Sequence, residues 1–184
     1  MENLNNVNFN KAIKLFIHAY TLPELQKDNI FLGNQNNMVL PETEDYAVFH
    51  IIDMQRRGKN SRGLLDPQKS NDYLLQDTNV LRVQIDFYCA NNNGTSDINA
   101  MLRAKSLEAV ANSLVGVQHF NGYNMSCLYA ESMKASIGVG DSGLLDFRWI
   151  VNLVLSYNSQ YKLEVETFNT IDVALNPVTE VEEQ

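Results

Sequence analysis

The stretch LLDFRWIVNLVLSY, residues 144–157, has the clearest alternation of apolar and polar side chains in the chain. Because successive residues of a strand point to opposite faces of a sheet, this alternation predicts a β-strand with one face buried from end to end. At about 3.3 Å per residue the strand would span roughly 40 Å, which is long for a small domain. We therefore predict a central strand, part of which projects beyond the core. Its apolar face consists of Leu145, Phe147, Trp149, Val151, Leu153, Leu155 and Tyr157.

Two further segments predict strands. Residues 79–90 (NVLRVQIDFYCA) alternate cleanly and predict a second central strand, and residues 123–133 (YNMSCLYAESM) predict a third. Residues 134–144 connect the third strand to the opening stretch and are short enough for an antiparallel hairpin. We expect the Trp149 half of the long strand to anchor the subunit and the end near Leu144 to reach a neighbour. The remaining strand candidates are a short strand at 30–32, one covered on both faces at 46–54, and a last strand within 162–175.

Two segments have the spacing of amphipathic helices. The first covers about residues 10–20 and ends near Pro23. The second follows a Thr95 or Ser96 cap, continues to about residue 115 and ends at Gly116. The sequence therefore predicts two main helices beside a β-sheet that contains a long β-hairpin. The apolar stripes are Ile13, Phe16, Ile17 and Tyr20 in the first helix, and Ala100, Ala104, Leu107, Ala111 and Leu114 in the second.

Bulk composition limits the classes of protein to which the chain can belong. The 184 residues predict a single domain over residues 1–176, followed by an acidic, flexible tail at 177–184. A net charge of −8 argues against a protein that coats nucleic acid, but it is compatible with one past which DNA slides. Without a signal-peptide pattern or a membrane span, we expect a cytosolic product. Cys89 and Cys127 are interpreted as buried thiols, with a disulfide or a reactive thiol as the alternative.

Residues 55–72 differ in charge from the rest of the chain, because they contain five cationic and only two acidic side chains in an otherwise acidic chain. With Gly58, Gly63 and Pro67 as turn formers, we predict a long exposed connection. Two interpretations remain open: a solvated hairpin tip, or a basic contact loop for an acidic protein or a phosphate. The candidate partner-contact residues are Arg56, Arg57, Lys59 and Arg62 in this segment, and Ser136, Gly138, Gly140, Asp141 and Ser142 at the hairpin tip.

Motifs of enzyme chemistry are weak in this sequence. Gly138–Gly143 matches G-x-G-x-x-G, but a strand follows it, whereas dinucleotide binding requires a helix N-terminus there. The same residues contain a GDSG fragment without a recognisable catalytic partner among His18, His50 and His119. We interpret His50 as a hydrogen-bonded core residue, and we place His18 beside the first helix stripe and His119 in a turn. The spacing of His and Cys indicates no metal site, so we predict no catalytic residue, cofactor or metal.

Several segments, taken in order, resemble the tail terminator, or neck terminator, proteins of tailed bacteriophages. The likeness spans roughly residues 9–160 and depends on the order of the segments, since none is a catalytic signature. They are KAIKLFIHAY (11–20), QNNMVLPETEDYAVFHII (35–52), residues 80–90 and 96–114, VGVQHFNGYNMS (115–126) and LDFRWIVNLVLSY (145–157).

The resemblance implies an α+β fold, with a mixed, mainly antiparallel sheet flanked by two main helices. It also implies a structural virion protein that assembles into a ring, a homohexamer in that family. Such a ring caps the tail tube, ends its polymerisation and provides the docking surface for the neck of the head. The implied partners are other copies of the chain, the tail tube protein and a neck or head–tail connector protein, with the tail sheath as a further candidate. DNA would pass through the lumen without specific binding, helped by an acidic lining, in a virion assembled in the host cytoplasm. Alternatives are another head–tail connector or tail-completion protein, and a small nucleotide- or ligand-binding enzyme that uses the glycine loop.

Overall fold

Helices pack against one face of a long, mixed β-sheet. The computed structural model describes residues 2–3, 7–33, 41, 45–64, 73–89, 95–139 and 145–163. Within these residues the helices are α1 (Phe9–Tyr20), α2 (Thr95–Ala111) and α3 (Leu114–Asn121), with a 3₁₀ turn at Lys27–Asn29. The strands are β1 (Glu2–Asn3), β2 (Ile30–Leu32), β3 (Tyr46–Leu64), β4 (Tyr73–Tyr88), β5 (Met125–Ala130), β6 (Lys134–Val139) and β7 (Leu145–Leu163).

The sheet has the path β1-β7-β4-β3-β2, and β5 and β6 also pair with β7. All pairs are antiparallel except the pair of β2 with β3. Because β4 occupies one edge of β7, the strands β1, β5 and β6 lie along its other edge. The α+β class, the antiparallel hairpin and the central positions of β7 and β4 are therefore confirmed.

The core lies between the helices and the middle of the sheet. Val151, Leu153 and Leu155 of β7 are fully buried, whereas Trp149 and Tyr157 are only partly buried. A face buried from end to end is therefore the wrong description of β7, because the helices cover only its central part. The residues contributed by the other elements to this core include Ile13, Phe16, Phe49, Leu81, Val83, Ile85, Phe87, Ala104, Leu107 and Phe120.

The second predicted helix is two helices. The helix is interrupted after Ala111. The Ser113 side chain then accepts a hydrogen bond from the backbone N–H of Val115 (3.2 Å) and so caps the N-terminus of α3. Gly116 does not end a helix but lies buried inside α3. The alanine stripe of α2 is buried as predicted, but the break turns Leu114 outward, where its side chain is 70% exposed. For the same reason His119 lies in α3 and not in a turn.

Two segments expected to be connections are strands. Residues 55–64 continue β3, and residues 134–139 form β6, so the third predicted strand ends earlier, at Ala130. Long neighbouring strands hold both segments extended: β4 pairs with β3 as far as Leu64, and β7 pairs with all of β6. Residues 46–54 are a strand as predicted, but Ile52 and Met54 are exposed, so only its first part is covered on both faces. The predicted last strand beyond residue 163 and the acidic tail at 177–184 lie outside the described residues.

Candidate assembly surface

Three strands continue beyond the core as a ribbon, which we define as residues 55–64 of β3, 73–80 of β4 and 156–163 of β7. Pairing continues to Leu64 opposite Tyr73 and to Tyr73 opposite Leu163. Among the side chains that the structure describes, the buried apolar ones of these strands, in contrast, end at Phe49, Leu81 and Leu155. Eight residues of β4 at about 3.3 Å each make the ribbon roughly 26 Å long. It is the main projection of the described fold.

The four basic candidate residues lie together on β3 in this ribbon. Arg56 Nε is 3.1 Å from Asp77 Oδ1 on β4, and half of the arginine side chain is exposed. Arg57 is also exposed and, being the next residue of the strand, points to the opposite face. Lys59 lies within a register irregularity between Arg57 and Ser61, and Arg62 pairs with Leu75. Residues 55–64 of the predicted basic loop are therefore part of a strand, and residues 65–72 lie outside the described residues.

The hairpin candidates lie at the other end of the sheet. Ser136 and Gly138 belong to β6, opposite Arg148 and Asp146 of β7. Gly140, Asp141 and Ser142 lie outside the described residues. Lys134, the first residue of β6, pairs with Ile150 of β7. Ile150 pairs with Asp86 of β4, and Asp86 pairs with Val48 of β3, so the start of β6 lies level with the start of β3. The structure thus separates the two candidate groups to opposite ends and opposite edges of one sheet.

The sheet face away from the helices is polar. Thr78 Oγ1 donates to Asn158 Oδ1 (2.9 Å) between β4 and β7, and Asn152 Nδ2 donates to Glu131 Oε2 (2.9 Å). The described part of this face carries both signs of charge, so the acidity of the chain is not concentrated there. Its polar residues include Asp53, Gln55, Arg57, Thr78, Arg82, Gln84, Ser156, Asn158 and Gln160.

A buried charged cluster interrupts this polar face. Asp86 alternates with the buried apolar residues of β4 and so lies on the face away from the helices, yet it has 0% exposure. Gln84 Nε2 donates to its carboxylate at 2.9 and 3.1 Å, and Arg148 Nη1 and His50 Nε2 lie 3.5 and 3.8 Å away. Burial raises the pKa of Asp86, although the hydrogen bond from Gln84 and the charges of Arg148 and His50 oppose the rise. The alternation of β4 gave no sign that one outward acid would be covered.

The histidines outside the Asp86 cluster and the two cysteines have surroundings typical of structural residues. His18 Nδ1 is 2.9 Å from the Leu25 carbonyl, and His119 Nε2 is 3.0 Å from the Ala12 carbonyl. Neither Cys89 nor Cys127 forms a disulfide, and burial raises the pKa of Cys127 to about 11. No group of three His, Cys, Asp or Glu side chains within the described ranges could hold a metal ion. Likewise, none of the described helices has the length and apolar character needed to span a membrane.

Comparison with known families settles the class of protein. A family model described as phage neck terminator protein matches residues 8–181. The chain belongs to the phage neck terminator protein family. No curated protein matches it. The family resemblance proposed from the sequence is therefore confirmed. As a neck terminator, the chain has a structural role in tail completion at the tail and neck of the virion, where it interacts with other tail and neck proteins.

Proposed function

We propose that this neck terminator forms a homohexameric ring that caps the finished tail tube, ends tube polymerisation and provides the docking surface for the head. The observation that carries the proposal is the separation of the ribbon from the β6–β7 hairpin. Projections at opposite ends of one sheet give a ring two different faces. One face meets the tail tube protein and the other meets the neck or head–tail connector protein.

The polar sheet face suits the lumen of such a ring. The helices occupy the other face of the sheet, so a ring that keeps them outside turns the amide and hydroxyl side chains inward. Side chains such as Thr78, Asn158 and Gln84 already have partners among themselves or with Asp86, and both signs of charge are present. DNA passes such a surface without a basic patch to hold its phosphates.

The glycine loop does not support an enzyme. Gly138 lies within β6, and the next described element after the loop is the strand β7. Pyrophosphate binding by a G-x-G-x-x-G segment requires the N–H groups of a helix N-terminus at that place. The hairpin provides a strand instead.

The length of tail tubes assembled with and without the purified chain tests the proposal. With a stoichiometric excess of the chain, we expect tubes to stop elongating and then to join heads. Tubes that continue to elongate in the presence of the excess contradict the capping role. If the chain instead co-purifies only with head proteins, it acts as a head-side connector.

A further inference from the structure

Strand β3 has a long edge that no described strand pairs with. On one side β3 pairs with β4 over almost its whole length. On the other side β2 covers only Ala47–Phe49. From residue 50 to residue 64 the described part of the chain supplies no strand to this side. An unpaired edge presents backbone N–H and C=O groups and is a template for a strand of another chain.

The opposite edge of the sheet is only partly closed. β5 and β6 lie end to end along β7, and side chains from α2 and the segment after it cap the junction between them. Asn112 Oδ1 accepts from the Ala130 N–H (2.8 Å), and Asn112 Nδ2 donates to the Ala130 carbonyl (3.2 Å), as a neighbouring strand would. Glu108 Oε2 accepts from the Met133 N–H (3.0 Å). Beyond Met133 no described residue caps β6 in this way, so β6 is the open part of this edge.

The directions of the strands make these two edges complementary. From β3 through β4 and β7 to β6, every pair is antiparallel, so β6 runs opposite to β3. A second copy in the same orientation therefore presents its β6 antiparallel to the β3 edge of the first. We propose that β6 of one copy adds as an antiparallel strand to the β3 edge of the next copy and continues the sheet around the ring.

This inference rests on the ring of the proposed function and identifies its interface. The contact joins two different surfaces, so it repeats head to tail and closes when the rotation between copies is a whole fraction of a turn. Closure removes both open edges at once. A two-fold dimer would instead pair like edges and leave the other edge open on each copy.

The face alternation limits the register of the contact. Between its two irregularities, β3 is regular over Asp53–Arg57, which is close in length to the six residues of β6. Ser136 pairs with Arg148 and so lies on the polar face, like Asp53, Gln55 and Arg57. If the helices of both copies stay outside the ring, Ser136 must lie opposite one of these three. Met54 lies on the helix face and cannot be its partner.

The contact also requires a stagger between copies. Lys134 of β6 is level with Val48, whose stretch of β3 is already covered by β2. To reach Asp53–Arg57, the neighbouring copy must slide along the strand direction toward the ribbon. A stagger between copies around a closed sheet tilts every strand relative to the ring axis, as closed sheets require.

Disulfide trapping between engineered cysteines tests the contact. In a Cys89→Ser background, Ser136→Cys is combined with Asp53→Cys, Gln55→Cys or Arg57→Cys, each on a separate chain. The native Cys127 is buried, with a pKa raised to about 11, and stays out of the reaction. Under mild oxidation, a mixture of two single variants should give dimers for at least one of the three pairs. The double variant of that same pair should give a ladder that ends in a covalently closed ring.

The matched controls are Met54→Cys, which puts the thiol on the other face one residue away, and Thr78→Cys, which lies on the paired strand β4. Both should give at least ten-fold less cross-linked dimer with Ser136→Cys. A ring that is intact by native mass spectrometry but shows no cross-link from Ser136 to β3 overturns this interface and leaves the ring standing. A chain that stays monomeric overturns the interface and the proposed function together.

Discussion

Gly116 of α3 lies directly against the backbone of the last turn of α2. A Cβ added there would lie 2.7 Å from the Val110 carbonyl oxygen and 2.8 Å from that of Ala111. Backbone atoms cannot move aside as a side chain can, so Gly116→Ala should destabilise the fold by about 1–3 kcal/mol. Gly122→Ala is the matched control, because its nearest neighbour would be 3.3 Å away. Urea unfolding of both variants measures the difference, and equal midpoints would contradict this packing.

Asp86 gives the fold a specific dependence on pH. Burial raises the pKa of its carboxyl in the folded state above the ordinary value of 3.8. Between these two pKa values the folded state holds more protons than the unfolded state, so this group lowers stability as the pH rises through that window. Asp86→Asn stays neutral, so the variant should gain stability relative to the wild type between pH 3 and neutral pH. The measurement is the free energy of unfolding against pH, and a difference that does not change with pH would refute the assignment.

Arg103 joins three elements of the fold. Its Nε donates to the Pro23 carbonyl (2.8 Å), and its Nη1 pairs with the Asp45 carboxylate just before β3. The arginine side chain is 8% exposed. Arg103→Ala leaves a largely buried acid without this partner, so we expect a loss of about 3–5 kcal/mol. Arg82→Ala is the control, since its 3.7 Å pair with Glu131 is 44% exposed on the arginine side and is worth about 0–1 kcal/mol. Equal losses in thermal or urea unfolding would contradict this ranking.

The ribbon is the element whose chemistry contrasts most with the rest of the chain. If its basic residues contact an acidic partner, Arg56→Glu combined with Arg57→Glu should keep the chain folded but cost about 1–3 kcal/mol, because Arg56→Glu removes the partner of Asp77, whose side chain is only 17% exposed. Head-to-tail joining, in contrast, should fall at least ten-fold. Lys11→Glu combined with Lys105→Glu makes the same change of charge on two exposed helix lysines. Unchanged yields of joined particles for the ribbon variant would remove the ribbon from the docking surface.

Hydrophobic periodicity predicted the strands and helices that have one apolar and one polar face. It failed where the conformation of a segment depends on pairing with a strand distant in sequence. The alternation of residues 79–90 and 145–157 was sufficient for β4 and β7, because one face of each packs on helices. The ribbon was missed because Gly58, Gly63 and the basic residues suit a loop as well as a strand edge. Only the pairing with β4, itself fixed by β7, keeps residues 55–64 extended. The burial of Asp86 depends on residues from β3 and β7, which no local pattern in β4 reveals.

In the whole molecule, the strands at the two edges of the sheet are offset along the strand direction. The ribbon extends it at one end of β7, and the β6–β7 hairpin extends it at the other, on the opposite edge. The order of the segments in the sequence was enough to identify the family, but the separation of the two candidate contact groups required the register of β3, β4, β6 and β7. A subunit with this outline fits a neighbour at each edge and a different partner at each end.

Native mass spectrometry of the purified chain over a range of concentrations tests the ring most directly. We expect one dominant assembly of six copies that persists on dilution, without a ladder of open oligomers, because each copy in a closed ring is held at two edges. A monomer that remains the main species at high concentration would contradict the ring and, with it, the proposed capping of the tail tube.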